Sequence, residues 1–345
     1  MRAALLYGPG EFRIDDLPMP VAGPGQALLQ VLAVGVCGSD VHYFLDGGIG
    51  DARVKEPFII GHEFSARIAA LGPGVEGPPV GTRVAVEPAI SCGKCELCLA
   101  GHPNLCRSIL FCSTPPTPGA LREYMAHPAE LCFPIPDSID DGEATVLEPL
   151  GVALHTVALA KLHPGDTIAI LGCGPIGLLT LQVARMSGAR AAYVTDVVSE
   201  RLEMARKLGA TATFNARKGD PVAWIRELTE GRGVDVAFET AWADETVAQT
   251  AEMARNGGKL IMAGIPREDV AVFPAHAVRR KGLTIKYVRR MKHTYPRAIA
   301  MVREGLIDAK TLITHRFPLT EVTEAYELVS SYQAGVIKAL VEVSK

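Results

Sequence analysis

Cys37, His62 and Glu63 place a thiolate, an imidazole and a carboxylate within one short stretch of chain, and Cys37 opens the run Cys37-Gly38-Ser39-Asp40-Val41-His42. Zinc accepts that mixture of ligands. Three protein ligands leave a coordination position open to water or substrate, where the ion acts as a Lewis acid toward an oxygen. The same residues also fit a plainer reading, a buried cysteine and a satisfied core histidine that never meet. A second set follows in Cys92, Cys95, Cys98 and Cys106, with Gly93, Gly101 and Pro103 to let the backbone fold back and the sulfurs converge. Four thiolates leave no vacant position, as in a structural zinc site. An iron–sulfur cluster or a redox Cys-x-x-Cys pair is the alternative, although the spacing is not that of common ferredoxins. Cys112, Cys132 and Cys173 stand apart and read as small core hydrophobes.

The third motif is Gly172-Cys173-Gly174-Pro175-Ile176-Gly177, directly after the apolar run Thr167–Leu171 and ahead of an apolar helical stretch. In that strand-to-helix setting the first glycine makes the turn, the second admits a pyrophosphate and the third lets helix pack on strand. A second predicted strand, from Ala191 to Thr195, ends at Asp196. A carboxylate there accepts hydrogen bonds from ribose hydroxyls and repels a 2′-phosphate, so NAD is expected over NADP. Arg201 either lies over the adenine or ribose or is a solvated helix residue. Predicted strands at 234–239, 259–263 and 283–288, with a helix near 243–255, continue the alternation and predict βαβ winding. Gly264 and Ile265, just past the strand 259–263, and Val288 and Arg289, at the end of the strand 283–288, join the expected nucleotide-binding set.

These motifs need a scaffold of some size. A chain of 345 residues is long for one core and predicts two domains. Hydrophobic residues at 48% and charged residues at 21% are globular values, and a net charge of −3 gives nothing to draw nucleic acid or an anionic membrane. The basic runs Arg279-Arg280-Lys281 and Arg289-Arg290 are too short to change that. Gly8 and Pro9 interrupt the N-terminus before a signal-peptide core can form. The stretch 167–184 carries no charge, but Gly172, Gly174, Pro175 and Gly177 would break a membrane-spanning helix. The expectation is a soluble, cytoplasmic protein, whose eight cysteines serve metal or remain thiols rather than forming disulfides.

A zinc site N-terminal to a Rossmann domain, with a four-cysteine knuckle between, resembles the zinc-dependent medium-chain alcohol dehydrogenase family over essentially the whole chain. Cys37 to Tyr43, Gly48-Ile49-Gly50, Phe111-Cys112-Ser113-Thr114-Pro115-Pro116, Glu148-Pro149-Leu150 and Thr314-His315-Arg316-Phe317-Pro318 are similar to its sorbitol (L-iditol) and xylitol dehydrogenase subgroup. The resemblance implies an α/β fold: a GroES-like β-barrel catalytic domain from residues 1–153 and 290–345, and a doubly wound, parallel-sheet Rossmann domain over 154–289. It implies a catalytic zinc on Cys37, His62 and Glu63, with Glu148 reaching the metal through bound water, and a structural zinc on the four-cysteine knuckle. One of each is expected per subunit, together with NAD.

The resemblance also assigns roles. Ser39 takes the substrate's proton and hands it by way of the cofactor ribose to His42; the alternatives are a turn-capping hydroxyl for Ser39 and a helix N-cap for Asp40. Tyr43, Ile49, Phe111 and Arg290 are pocket candidates. Aligned on Thr294-Tyr295-Pro296, Met291 stands where the subgroup carries a tyrosine, so a thioether replaces a partner for a polyol hydroxyl. The implied reaction is NAD-linked oxidation of a polyol or sugar's secondary hydroxyl to a ketose, by a homo-oligomer, a tetramer by resemblance. The alternatives are an L-threonine 3-dehydrogenase or another sugar or alcohol dehydrogenase of the family. Threonine enzymes carry Asp-Pro-Phe where this chain has Glu148-Pro149-Leu150. A non-catalytic NAD- or zinc-binding protein would not need so complete a set of Cys37, Ser39, His42, His62, Glu63 and Glu148.

Overall fold

Gln26–Gly35 is rich in Ala, Leu and Val, with its second half wholly buried, and it forms the spine of the largest sheet. On one side it pairs antiparallel with Glu63–Leu71, which leads to Arg83–Val86 and Cys132–Pro134; Tyr124–Pro128 also pairs with it. On the other side lies Lys338–Glu342, from the far end of the chain, followed by Ile313–Pro318. Leu29, Val31, Phe64, Ile68, Met125 and Val341 from these strands share one buried cluster. The computed structural model describes residues 1–241, 243–266 and 270–344. Its chain divides into two compact units, Met1–Glu148 with Tyr295–Lys345, and Pro149–Thr294.

The crossing between units falls inside the helix Asp141–Ala160. Residues 149–153 and 290–294, expected in the catalytic domain, fall within the second unit. No loop or polar linker marks the first crossing in the sequence; the second falls at the end of the polar loop 288–294, just before the helix Tyr295–Arg303.

The second unit is built on six parallel strands in the order Ala212–Asn215, Ala191–Asp196, Thr167–Leu171, Val234–Glu239, Ala254–Met262, Thr284–Tyr287. Thr167–Leu171, Ala191–Asp196 and Val234–Glu239 are buried at every position, as strands covered on both faces must be. The first strand in sequence sits at the centre, and the order reverses between it and Val234–Glu239. This is the doubly wound arrangement with its switch point. Ala254–Met262 starts earlier than the strand read at 259, because Arg255-Asn256-Gly257-Gly258 looks like a turn but pairs Ala254 with Val234 through a register shift. Ala212–Asn215 and the helix Pro221–Leu228, N-capped by Asp220 accepting from the Val222 amide at 2.8 Å, complete the winding. Among the described residues, no helix is long and apolar enough to cross a membrane.

Candidate metal and nucleotide sites

Cys37 is the extended N-cap residue of the helix Gly38–Asp46, and Glu63 begins a strand with Gly35 opposite it. Between them Gly61 adopts φ +95, where a Cβ would lie 2.8 Å from Val34 Cγ1; only glycine lets the chain turn His62 inward there. One ligand atom each from Cys37, His62 and Glu63 lies within 4.8 Å of the others. The donor set and its convergence fit zinc with a position to spare. The plainer reading of Cys37 and His62 is thus overturned. The satisfied core histidine is His127, whose Nε2 meets the Glu87 carbonyl at 2.9 Å and whose pKa burial pushes down to about 4. Burial works the same way on His62, yet Asp40 and Cys37 beside it hold its pKa well above the ordinary value.

His62 Nδ1 lies 3.0 Å from Asp40 Oδ2, which leaves Nε2 as the nitrogen available to an ion, the usual division of labour in a metal-bound histidine. Neither capping role read for the helix start occurs: no side chain caps it. The Ser39 hydroxyl instead donates to Cys37 Sγ at 3.3 Å, and Asp40, fully buried, accepts from Ser113. Lys338 and Ser113 are residues to which sequence reasoning gave no role. Lys338 is 2% exposed, and its ammonium donates to Glu63 Oε2 at 2.5 Å and to the Val36 carbonyl at 3.1 Å. Burial disfavours that charge, but Glu63 and Cys37 more than restore it and raise the Lys338 pKa. A Cβ on Gly35 would fall 2.4 Å from Glu63 Oε2, so a glycine floors the slot that holds this carboxylate.

The other expected site residues are placed as follows. Glu148 lies buried in the helix Asp141–Ala160, outside the three-donor cluster but near enough for its charge to act on Lys338 and Tyr295. The Phe111 ring stands 5.1 Å from the His62 ring. Ile49 packs against the first unit's core; Tyr43, 3% exposed, is part of that core. His42 Nδ1 lies 3.5 Å from Asp46 Oδ2, with both side chains partly exposed. Arg290 belongs to the second unit, in a left-handed turn at φ +53. Met291 is buried in the same unit, where a Cβ on Gly151 would meet its Sδ at 2.4 Å.

The sulfurs of Cys92, Cys95, Cys98 and Cys106 likewise converge within 4.8 Å. Backbone amides of Cys95 and Cys92 donate to Cys92 Sγ at 3.4 Å and to Cys106 Sγ at 3.3 Å, a thiolate-favouring arrangement that fits a closed zinc site. Amide donation holds the Cys95 thiol down at about 6. Cys112, Cys132 and Cys173 are buried, and burial pushes their thiols up: Cys112 to about 11, Cys132 to about 12 and Cys173 well above its usual range.

Each glycine of the nucleotide motif has a physical reason. Gly172 turns at φ +105, with Ala241 2.9 Å from where a Cβ would sit. Gly177 has the Gly172 carbonyl at 1.9 Å from the same point, whereas Gly174 faces open space. Gly174 is the N-cap and Pro175 the first residue of the helix Pro175–Met186, so free amides and the helix dipole point toward that space. Asp196 Oδ2 accepts from the Cys173 amide at 2.5 Å and Oδ1 from the Val198 amide at 2.8 Å. The carboxylate thus braces the glycine loop, and each oxygen keeps a lone pair. Ile176 lies within that first helical turn. Gly264 and Ile265 follow the strand Ala254–Met262, and Val288 and Arg289 follow Thr284–Tyr287. All sit at the C-terminal ends of parallel strands, where such sheets bind ligands. Arg201 is buried in the helix Ser199–Lys207, which corrects its reading as a solvated residue.

A two-unit chain with a Cys-His-Glu cluster, a cysteine knuckle and a dinucleotide loop defines a metal-dependent dehydrogenase. Comparison with known proteins agrees: residues 23–137 match the alcohol dehydrogenase GroES-like domain and residues 175–304 the zinc-binding dehydrogenase domain. The chain is 39% identical over 341 residues to sorbitol dehydrogenase of Bacillus subtilis, covering 99% of this chain and 97% of that one. A short chain alcohol dehydrogenase of Escherichia coli complexed with cofactor NADH superposes with TM-score 0.89 at 29% identity, and a zinc-binding dehydrogenase of Sinorhizobium meliloti bound to NADP with TM-score 0.90 at 32%; each alignment covers 99% of both chains. The chain belongs to the zinc-dependent medium-chain alcohol dehydrogenase family, in its sorbitol dehydrogenase-like subgroup, and is an oxidoreductase.

Proposed function

We propose that this enzyme oxidises a secondary hydroxyl of a polyol to a ketose with NAD. The observation that carries the reading is the convergence of Cys37, His62 and Glu63 in a chain aligned nearly end to end with a sorbitol dehydrogenase. Cys37 Sγ, His62 Nε2 and the Glu63 carboxylate would hold the catalytic zinc, and Cys92, Cys95, Cys98 and Cys106 the structural one. When bound, the catalytic zinc polarises the substrate hydroxyl and lowers its pKa, and NAD accepts the hydride. Ser39, whose hydroxyl donates to Cys37 at rest, has oxygen lone pairs to accept the substrate's proton while it would release its own by way of the cofactor ribose toward His42. His42, one turn further along the helix and partly exposed, delivers that proton to solvent. Glu148 orients water beside the metal, and Phe111 supplies an apolar wall next to His62. Tyr43 supports from the core, while Ile49 and Arg290 are the remaining pocket residues.

Asp196 favours NAD, because its carboxylate both accepts from ribose hydroxyls and repels a 2′-phosphate. Gly172, Gly174 and Gly177 shape the pyrophosphate loop, and Arg201, Gly264, Ile265, Val288 and Arg289 complete the cofactor set. Met291 in the subgroup's tyrosine position points to a polyol other than sorbitol. The cytoplasmic homotetramer rests on the resemblance alone, and sedimentation tests the tetramer.

NADH formation assayed with pentitols, hexitols, aldoses and L-threonine, alongside a zinc count per chain, tests the reading. The expected result is polyol turnover with two zincs, abolished by Cys37→Ser. Turnover of threonine alone would sink it.

A further inference from the structure

Ser113 holds φ +74, a left-handed conformation in which residues with side chains are uncommon, and it is 1% exposed. Its Oγ accepts the Gly61 amide at 2.9 Å and donates to Asp40 Oδ1. The other Asp40 oxygen lies 3.0 Å from His62 Nδ1. Because Gly61 and His62 are consecutive, these contacts form a closed ring running Gly61, His62, Asp40, Ser113. The strand Leu110–Phe111, paired with Ala89–Ile90, delivers the same segment and sets Phe111 5.1 Å from the His62 ring. Residues 111–113 therefore flank this histidine with the tilted Phe111 ring and, through Asp40, reach its Nδ1 edge.

We propose that Ser113 is a positioning residue for the metal site: its hydroxyl fixes the Asp40 carboxylate against His62 Nδ1, and so sets the metal affinity of the Cys37–His62–Glu63 cluster. The proposal rests on reading that cluster as a zinc site. A carboxylate placed this way decides which imidazole nitrogen carries the proton and keeps the other turned to the ion. Without the hydroxyl, Asp40 Oδ1 and the Gly61 amide are buried polar groups that each lose a partner. Asp40 is then free to rotate toward another donor, and the imidazole with it. The position needs one atom that both accepts and donates, which a hydroxyl supplies. Threonine would add a β-branch to a left-handed residue.

The test uses the full-length chain as wild type, Ser113→Ala, Ser113→Gly, Asp40→Asn and the Ser113→Ala/Asp40→Asn double variant. Each is stripped of metal and titrated with Zn²⁺ and Co²⁺ in competition with a chelating dye. The four-thiolate knuckle serves as the internal control for folding. In both Ser113 variants the knuckle should keep its affinity while the three-donor site weakens about 10- to 100-fold, with altered Co²⁺ absorption bands at that site. Glycine is freed of the left-handed penalty, so Ser113→Gly should melt no lower than Ser113→Ala yet lose the same affinity. Because Ser113 acts through Asp40, adding Ser113→Ala to Asp40→Asn should change little. Wild-type affinity at the three-donor site in Ser113→Gly, or an undiminished loss in the Asp40→Asn background, overturns the proposal. A wild-type chain that binds metal only in the knuckle overturns the zinc-site reading instead, a separate result.

Discussion

The Lys338 ammonium sits 2.5 Å from Glu63 Oε2 where both side chains are 2% exposed. Removing one member of a buried ion pair leaves the other charge desolvated and alone, which costs about 3–5 kcal/mol, far more than the pair itself contributes over a well-packed apolar replacement. Lys338→Met should therefore lower the unfolding free energy of the metal-free protein by about 3–5 kcal/mol, read from urea denaturation. Adding Glu63→Gln should recover part of that loss, since no isolated charge then remains. An unchanged denaturation midpoint in Lys338→Met would show the pair to be energetically idle. At this scale the site was half legible. Cys37, His62 and Glu63 are chemically distinctive and close in sequence, so their types and spacing announce a metal. Lys338 and Glu63 are 275 residues apart, and Ser113 and Asp40 are 73 apart. A lysine or a serine at such a distance from its partner looks in sequence like any other.

Strands of the second unit are tied together at their N-terminal ends by Asp235. Its Oδ2 accepts from the Thr167 amide and hydroxyl, both at 2.9 Å, and its Oδ1 accepts from Arg232 and from Arg255, both at 2.6 Å. Burial alone would raise the Asp235 pKa, but Arg232, Thr167 and Arg255 together hold it well below the usual carboxylate range. A carboxyl depressed by folding contributes stability above its unfolded pKa of about 4 and loses it as the pH falls toward the folded value. Asp235→Asn should be less stable than wild type at neutral pH. Its stability should also decline less steeply as the pH drops below about 4, measured by denaturant melts across that range. Parallel acid-side slopes for the two proteins would contradict this account. The strands Asp235 joins were the most readable elements, because Thr167–Leu171 and Val234–Glu239 are covered on both faces and are mainly apolar, with Asp235 and Glu239 the acidic exceptions in the second. Ala254–Met262 was only half visible, since its Arg-Asn-Gly-Gly opening spells a turn and only its partner strand makes it a strand.

On the scale of the molecule, the first unit is made from two chain segments that flank the second. Lys338–Glu342 lies between Gln26–Gly35 and Ile313–Pro318, and it carries Lys338 to Glu63. Three donors of the metal site thus come from the first segment, and the cation that braces one of them from the last strand of the chain. The second unit has no such dependence: Pro149–Thr294 is continuous, and its loop, Asp196 and strand-end residues lie within one stretch. Contacts between distant segments incur a large loop-closure entropy and form late, while sequential βα units close locally. A chain ending before Val336 should accordingly lose the strand that joins Gln26–Gly35 to Ile313–Pro318 and its metal at the three-donor site, yet still bind NADH with near wild-type affinity. Zinc content and NADH fluorescence on the same preparation read the two outcomes separately. Loss of both together would mean that the nucleotide unit draws its stability from the completed first unit, and that the two fold as one.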